Sequence, residues 1–191
     1  GPDTIDLIQD RFDIPDKFST NLSENYLYAR TGYTGEDGVE IMANNEDAES
    51  LLTFLIEKGI KPCGLGSRDT LRLEASLPLY GFELSEDITP VEASLTWTIT
   101  NKNDYLGSKR INDQLSGENH KVLKKFIIDS RKIARTETVG IAGETKGLVT
   151  SGNFSPMLNK SIGFILFENM PSQDLIEFDI RGNLIEGNIV N

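Results

Sequence analysis

The sequence predicts an α+β fold in which a part with mixed helices and strands is followed by a small antiparallel β-barrel or sandwich. Up to Asn101, helical apolar spacing alternates with short strand patterns. From Val122 onward, nearly every segment reads as a short strand between turns rich in glycine and asparagine. With 191 residues, of which 38% are hydrophobic, the chain can form one ordinary domain or two small ones. We place the boundary near Asn101 and predict domains 1–101 and 102–191.

The first part contains two predicted helices with clear signals. Asn44 opens a capping stretch, and the apolar residues that follow recur at steps of three and four until Gly59, which predicts an amphipathic helix. A second helix is predicted after Pro62, with Arg68 and Arg72 four residues apart on one face. In chain order the predicted elements are a helix over 3–12, a strand over 26–30, a glycine-rich turn over 32–38, a strand over 39–42, helices over 48–56 and 66–75, an acidic loop over 81–89, and a strand over 91–99.

The second part is predicted to be a helix followed by strands only. The six strands are short, closely spaced and separated by turn residues, which is typical of a small antiparallel sandwich or barrel. The predicted bounds are 107–115 for the helix and 122–128, 137–140, 147–150, 161–167, 175–180 and 184–190 for the strands. Four large aromatic residues are predicted to lie in the core. They are Trp97, which precedes this region, and Phe126, Phe164 and Phe167 within it.

Charge and composition argue against several classes of partner. The formal net charge of −11 would repel a nucleic-acid backbone, and we expect no nucleic-acid partner. No segment approaches the ~20 apolar residues of a membrane span, and the first residues lack a secretory pattern, so we expect no membrane partner. The default location is the cytosol, or an organelle reached through a targeting segment that is not seen here.

Single cysteine and histidine residues argue against a metal site. Cys63 has no second cysteine for a disulfide or a zinc site, and His120 is the only histidine. We expect Cys63 to be a small buried hydrophobic residue and His120 to lie at the surface, without a catalytic pairing between them.

Several extended motifs resemble one enzyme family, the glycine-cleavage T-protein (aminomethyltransferase) family. The longest is Arg30-Thr-Gly-Tyr-Thr-Gly-Glu-Asp-Gly-Val-Glu40, and Pro62-Cys-Gly-Leu-Gly-Ser-Arg-Asp-Thr-Leu-Arg-Leu-Glu74 follows it. The remaining motifs, which keep the family's order over nearly the whole chain, are Leu79–Gly81, Thr89–Trp97, Asp104–Gly107, Ile133–Arg135, Thr150–Pro156 and Lys160–Ile162.

This resemblance implies an enzymatic function. Such enzymes transfer the one-carbon unit of an aminomethyl group, carried on the lipoyl arm of the lipoylated carrier (H) protein, to tetrahydrofolate with release of ammonia. Family members are roughly twice as long, so we expect the chain to be a carboxy-terminal half. The amino-terminal half, in cis or in trans, would then supply the catalytic aspartate. We therefore assign no catalytic residue here and expect the 191 residues alone to be inactive. The expected location is cytoplasmic, or mitochondrial in a eukaryote.

Glu40 is the family position that implies recognition of the pterin ring. The pterin presents an amino group and a ring N–H side by side, and one carboxylate can accept both hydrogen bonds. From the residues alone, Glu40 reads as an exposed strand residue whose neighbours Val39 and Ile41 face the other way.

Arg68 and Tyr33 are the other two folate-binding residues implied by the resemblance. A guanidinium group matches the carboxylate of the folate glutamate tail, and an aromatic wall suits the flat rings of the ligand. The alternative for Arg68 is a surface ion pair with Asp69 or Glu74, and Arg72 could substitute for it. The alternative for Tyr33 is packing in the turn or the core.

Two other functions stay open at this point. One is a non-catalytic folate-binding or scaffold paralogue, and the other is the folate domain of a dimethylglycine- or sarcosine-oxidising enzyme. A half-length fold would also expose apolar surface, which predicts a dimer or a tendency to aggregate.

Overall fold

The computed structural model describes residues 1–23, 25–100 and 105–190. The chain divides into two compact units, Gly1–Ala75 and Ser76–Asn191. The predicted α+β class is confirmed, because helices and a small sheet occur in the first unit and a closed antiparallel barrel occurs in the second. The domain boundary predicted near Asn101 falls at residues 101–104, which lie outside the described residues, and it stays a prediction.

The first unit is a three-stranded antiparallel sheet with three helices. The sheet has the strand order β1-β2-β3. The first helix is shorter than the predicted helix over 3–12. The sequence does not predict β1, because a strand of three residues is too short to show an alternating pattern. In chain order the elements are α1 (Thr4–Ile8), β1 (Thr20–Leu22), β2 (Tyr26–Ala29), β3 (Glu40–Ala43), α2 (Asn45–Glu57) and α3 (Leu65–Glu74).

The core of this unit forms between α1, α2 and one face of the sheet. Ile8, Phe12, Tyr28 and Leu51 are its buried members. The ring of Phe12 meets the rings of Tyr26, Tyr28 and Phe54 edge to face at centroid distances of 5.7, 5.7 and 5.9 Å. Because side chains alternate along a strand, the residues between these core positions point away from the core.

The second unit is built around a closed six-stranded barrel. The strands follow the order β4-β7-β6-β5-β8-β9, and pairing of β9 with β4 closes the barrel. The elements are a 3₁₀-helix (Thr96–Thr98), α4 (Ser108–Leu115), β4 (Val122–Ile128), β5 (Val139–Ala142), β6 (Thr145–Ser155), β7 (Lys160–Phe167), β8 (Leu175–Ile180) and β9 (Asn183–Val190). The predicted barrel-or-sandwich domain is therefore a barrel.

Buried aromatic and aliphatic side chains fill the barrel. Phe126, Phe167 and Phe178 are almost completely buried. At Gly163, an added Cβ would lie 2.1 Å from the Ser151 carbonyl oxygen, so a larger residue cannot occupy this position without a shift of the backbone. The core positions predicted for Phe126, Phe164 and Phe167 are confirmed.

The strand predicted over 91–99 is wrong, and so is the core position predicted for Trp97. Thr89 and Glu92 form a reciprocal cap: the Thr89 amide donates to Glu92 Oε2 at 2.8 Å, and the Glu92 amide donates to Thr89 Oγ1 at 3.1 Å. This pairing is typical of the start of a helical turn and not of a strand. The 3₁₀-helix that follows leaves Trp97 78% exposed.

The prediction for Cys63 also differs from the structure, whereas His120 lies at the surface with partial exposure. Cys63 is an exposed free thiol and not a buried hydrophobic residue, because the segment 61–67 before and into α3 lies at the surface. His120 is half-buried, and its ring Nδ1 lies 2.7 Å from the Glu118 carbonyl oxygen. Within 1–23, 25–100 and 105–190, no helix combines the length and the apolar character that a membrane crossing needs.

Candidate functional site

The glycine-rich loop between β2 and β3 is closed by an ion pair. Arg30 Nε donates to Asp37 Oδ1 at 3.2 Å, and Arg30 Nη2 donates to Asp37 Oδ2 at 2.9 Å. Lys17 Nζ lies 3.5 Å from the same Oδ2 atom. The hydrogen bonds from Arg30, followed by its charge, lower the pKa of Asp37 to about 2. The carboxylate is therefore ionised at neutral pH, and the two-pronged contact holds the ends of the loop together.

Gly35 lets this loop approach the end of α3. Its φ is +77°, which L side chains rarely adopt, and an added Cβ would lie 2.6 Å from the Cβ of Ala75. Of the three glycines of the loop, Gly32, Gly35 and Gly38, only Gly35 has a positive φ. The loop is therefore fixed by one glycine and one ion pair.

Glu40 begins β3 and faces away from the core. Its Cα is paired with that of Ala29 on β2, and its neighbours Val39 and Ile41 pack against the core cluster. The side chain is exposed. Thr31 Oγ1 donates to Glu40 Oε2 at 2.6 Å, and this is the single hydrogen bond to the Glu40 carboxylate within the described part of the chain. The carboxylate thus keeps acceptor capacity for a ligand.

Arg68 and Tyr33 contact each other. The guanidinium carbon of Arg68, in the first half of α3, lies 5.1 Å from the centroid of the Tyr33 ring, a distance within the range of a cation–π contact. Arg68 is exposed and has no hydrogen bond or ion pair in the described ranges. The structure therefore brings these two residues together and leaves the N–H donors of Arg68 available.

The alternative ion pair for Arg68 is not formed with Asp69, because Asp69 binds Arg72 instead. Arg72 Nε donates to Asp69 Oδ1 at 3.0 Å, and Arg72 Nη2 lies 2.9 Å from the same oxygen. Arg72 is only 2% exposed. Although the two arginines are four residues apart, Arg72 is a buried structural residue and is unsuited to substitute for Arg68 at the surface.

The arrangement offers three chemical groups to a ligand. Glu40 supplies a carboxylate that can accept a pair of N–H bonds, Tyr33 supplies an aromatic ring, and Arg68 supplies a guanidinium fork that matches a carboxylate. Tyr33 and Arg68 are in contact with each other, and Glu40 lies at the end of the loop that carries Tyr33. The motif 30–40 contains the Thr31–Glu40 hydrogen bond and the Arg30–Asp37 ion pair, and the sequence predicts neither contact. A period of two along the continued β2 strand would have placed Thr31 on the same face as Ala29 and Glu40.

The comparisons with known proteins point to one enzyme family. The family model described as GCVT N-terminal domain matches residues 18–103, which include Tyr33, Glu40 and Arg68. Aminomethyltransferase from Bacillus mycoides (strain KBAB4) is 45% identical over 173 residues, which is 86% of this chain and 47% of that relative. Aminomethyltransferase from Bacillus cereus (strain AH187) is 46% identical with the same coverage.

A solved structure shares the architecture over almost the whole chain. The crystal structure of glycine cleavage system aminomethyltransferase T from Bartonella henselae superposes with a TM-score of 0.86 at 26% identity, covering 97% of this chain and 55% of that chain. The chain spans about half the length of the curated relatives that it matches. Sequence and fold agree: the chain is similar to the glycine cleavage T-protein (aminomethyltransferase) family over most of its length.

Proposed function

We propose that this chain forms the tetrahydrofolate-recognition part of an aminomethyltransferase of the glycine cleavage system. The reaction transfers the one-carbon unit from the aminomethyl-lipoyl carrier (H) protein to tetrahydrofolate and releases ammonia. The observation that supports this proposal most is the exposed Glu40 carboxylate, which one hydrogen bond from Thr31 holds at the start of β3. The same loop carries Tyr33, against which Arg68 packs.

Glu40 would recognise the pterin ring. A carboxylate has about four lone-pair positions, and the Thr31 hydroxyl uses one of them. The remaining positions suffice for the amino group and the ring N–H of the pterin, which lie side by side. Both bonds would be charge-assisted and therefore stronger than bonds between neutral groups.

Arg68 and Tyr33 would bind the rest of the folate molecule. The Cζ atom of Arg68 lies 5.1 Å from the Tyr33 ring centroid, and the N–H groups of Arg68 have no hydrogen-bond partner among the described residues, so they can donate to a carboxylate. The carboxylates of the folate glutamate tail fit this fork. Stacking on tyrosine also restricts the arginine side chain before the ligand binds, which lowers the entropy lost on binding.

Chemical transfer is proposed for a larger assembly than these residues alone. Because the chain spans 47% of the length of the first curated relatives, turnover would need the equivalent of the rest of those proteins, in cis or in trans. We assign no catalytic residue to this chain. A cytoplasmic location, or a mitochondrial one in a eukaryotic cell, is part of the same proposal.

Calorimetric titration of tetrahydrofolate into the chain tests this proposal. Glu40→Ala should reduce the affinity about 10- to 100-fold, since it removes charge-assisted bonds, and Arg68→Ala should reduce it about tenfold. Glu49→Ala and Arg135→Ala remove the same charges from exposed positions outside the site and should leave the affinity unchanged. Equal losses in the site variants and the controls would contradict the proposal, and so would binding that neither site variant weakens.

A further inference from the structure

We infer that Thr31 is a positioning residue that orients the Glu40 carboxylate for the pterin. This inference rests on the proposed function of Glu40 and adds a residue to it. Thr31 Oγ1 donates to Glu40 Oε2 at 2.6 Å, across nine residues of the chain. No folate contact is assigned to Thr31 itself, so its effect on binding would pass through Glu40.

The backbone around Thr31 is anchored on both sides of the preceding residue. The amide of Arg30 donates to the Ser19 carbonyl at 3.0 Å, and the Arg30 carbonyl accepts from the Phe18 amide at 3.1 Å. The Arg30 side chain is in turn clamped by Asp37. The backbone that leads into Thr31 is therefore extended and hydrogen-bonded. This fixes the position of Thr31, although it lies beyond the last residue of β2.

The chemistry of threonine suits an orienting role. Its β-branched side chain is stiff at χ1, so a fixed backbone also fixes the hydroxyl. Thr31 is half-buried whereas Glu40 is exposed, and the hydrogen bond thus joins an ordered group to a long side chain that solvent would otherwise leave mobile. The contact selects one orientation of the carboxylate from those that an exposed glutamate samples.

A residue that orients Glu40 must leave its carboxylate able to accept hydrogen bonds from the ligand. The Thr31 hydroxyl occupies one lone pair of Oε2 and leaves Oε1 with no hydrogen bond among the residues that the structure describes. Because one lone pair of Oε2 also remains, both oxygens can still accept, and a paired contact with two neighbouring N–H groups is possible.

The expected effect on affinity is moderate and depends on Glu40. Thr31→Val preserves the shape and removes the hydroxyl, so tetrahydrofolate affinity should fall by about threefold to tenfold, the range of one lost hydrogen bond. Thr31→Ser keeps the hydroxyl and should retain affinity within about twofold. In a Glu40→Ala background, Thr31→Val should cause no further loss, because the residue that it orients is absent.

A ligand-free measurement separates this inference from the proposed function. The Hα–Hβ coupling constants of Glu40, measured by NMR, should report one preferred χ1 rotamer in the wild-type chain and in Thr31→Ser, and rotamer averaging in Thr31→Val. Amide spectra that agree outside the loop would show that the fold is intact. The inference would be overturned if the Glu40 couplings are already averaged in the wild-type chain, or if they are unchanged in Thr31→Val. Either result would hold regardless of the tetrahydrofolate affinities.

The titrations complete the distinction. Rotamer averaging together with weaker binding in Thr31→Val, and rescue in Thr31→Ser, would support the inference. If Glu40→Ala weakens binding and Thr31→Val does not, the inference fails while the proposed role of Glu40 stands. If neither variant changes binding, or the chain does not bind tetrahydrofolate, the proposed role of Glu40 fails in this chain, and with it the role of Thr31 toward folate.

Discussion

The glycine-rich loop and the barrel are stabilised by different kinds of contact. The loop between β2 and β3 depends on a partly exposed ion pair, one left-handed glycine and a hydrogen bond between Thr31 and Glu40. The barrel depends on a closed ladder of strands around side chains that are almost fully buried, such as Phe126 and Phe178. Exposed residues at the loop, such as Glu40, can therefore be substituted with little loss of stability, whereas the barrel tolerates little change in its interior.

The largest expected effect is on the stability of the barrel. Phe126→Ala should destabilise it by about 3–5 kcal/mol, because the ring is 1% exposed and its removal leaves a cavity. Native-state hydrogen exchange of the β7 amides measures this change. Leu184→Ala, on exposed β9, is the matched control and should change stability by no more than about 0.5 kcal/mol. A loss below about 1 kcal/mol in Phe126→Ala would contradict the description of the barrel core.

A glycine substitution tests the packing of the loop. Gly35→Ala combines a positive φ with a contact at 2.6 Å and should destabilise β2 and β3 by about 2–4 kcal/mol. Gly59→Ala is the control, since it has φ +85° and no atom within 4 Å, and should lose only about 1 kcal/mol. Hydrogen exchange of the β2 amides reports the first change. Equal losses would mean that the contact with Ala75 does not restrict the loop.

A conservative substitution tests binding without disturbing the fold. Arg68→Lys keeps the charge but loses the planar fork and most of the stacking on Tyr33, so tetrahydrofolate affinity should fall about threefold to tenfold. Arg135→Lys makes the same change at an exposed position outside the site and should have no effect. If Arg68→Lys binds tetrahydrofolate as tightly as the wild-type chain, the positive charge of Arg68 is sufficient and its planar fork does not contribute.

The smallest expected effect is a pH dependence of loop closure. The pKa of Asp37 is lowered from 3.8 to about 2 in the folded chain, so its pairing with Arg30 stabilises the loop above the unfolded value and loses this effect as pH falls through about 2. Titration of the Asp37 carboxyl carbon by NMR should show this low midpoint. The Arg30→Gln variant should return it toward 3.8, and an ordinary midpoint in the wild-type chain would argue against the clamp.

Regular elements with clear periods were the most predictable part of the fold. The bounds of β4 and β8 agree with the prediction, since each is a run of strand-forming residues between turn residues. Trp97 was misplaced because a large aromatic residue was read as core, whereas the cap formed by Thr89 and Glu92 redirects the backbone. Local polar contacts of this kind override residue preference, and composition does not reveal them.

The candidate site was predictable only in part. The motifs drew attention to Tyr33, Glu40 and Arg68, and the structure adds the contact between Arg68 and Tyr33. The sequence did not reveal that Arg72 is buried with Asp69, because residues four apart on a helix can differ in exposure when packing is tight. The hydrogen bond from Thr31 was equally hidden, since it depends on the path of the loop between two strands.

The most direct test of a folate site in the glycine-rich loop is an NMR titration of the amide resonances with tetrahydrofolate. We predict that the largest chemical-shift changes occur in the amides of residues 31–40 and 65–70, and that the chemical shifts of the β7 amides in the barrel change little. Shift changes concentrated in the barrel strands, with the loop and the start of α3 unaffected, would contradict this assignment of the site.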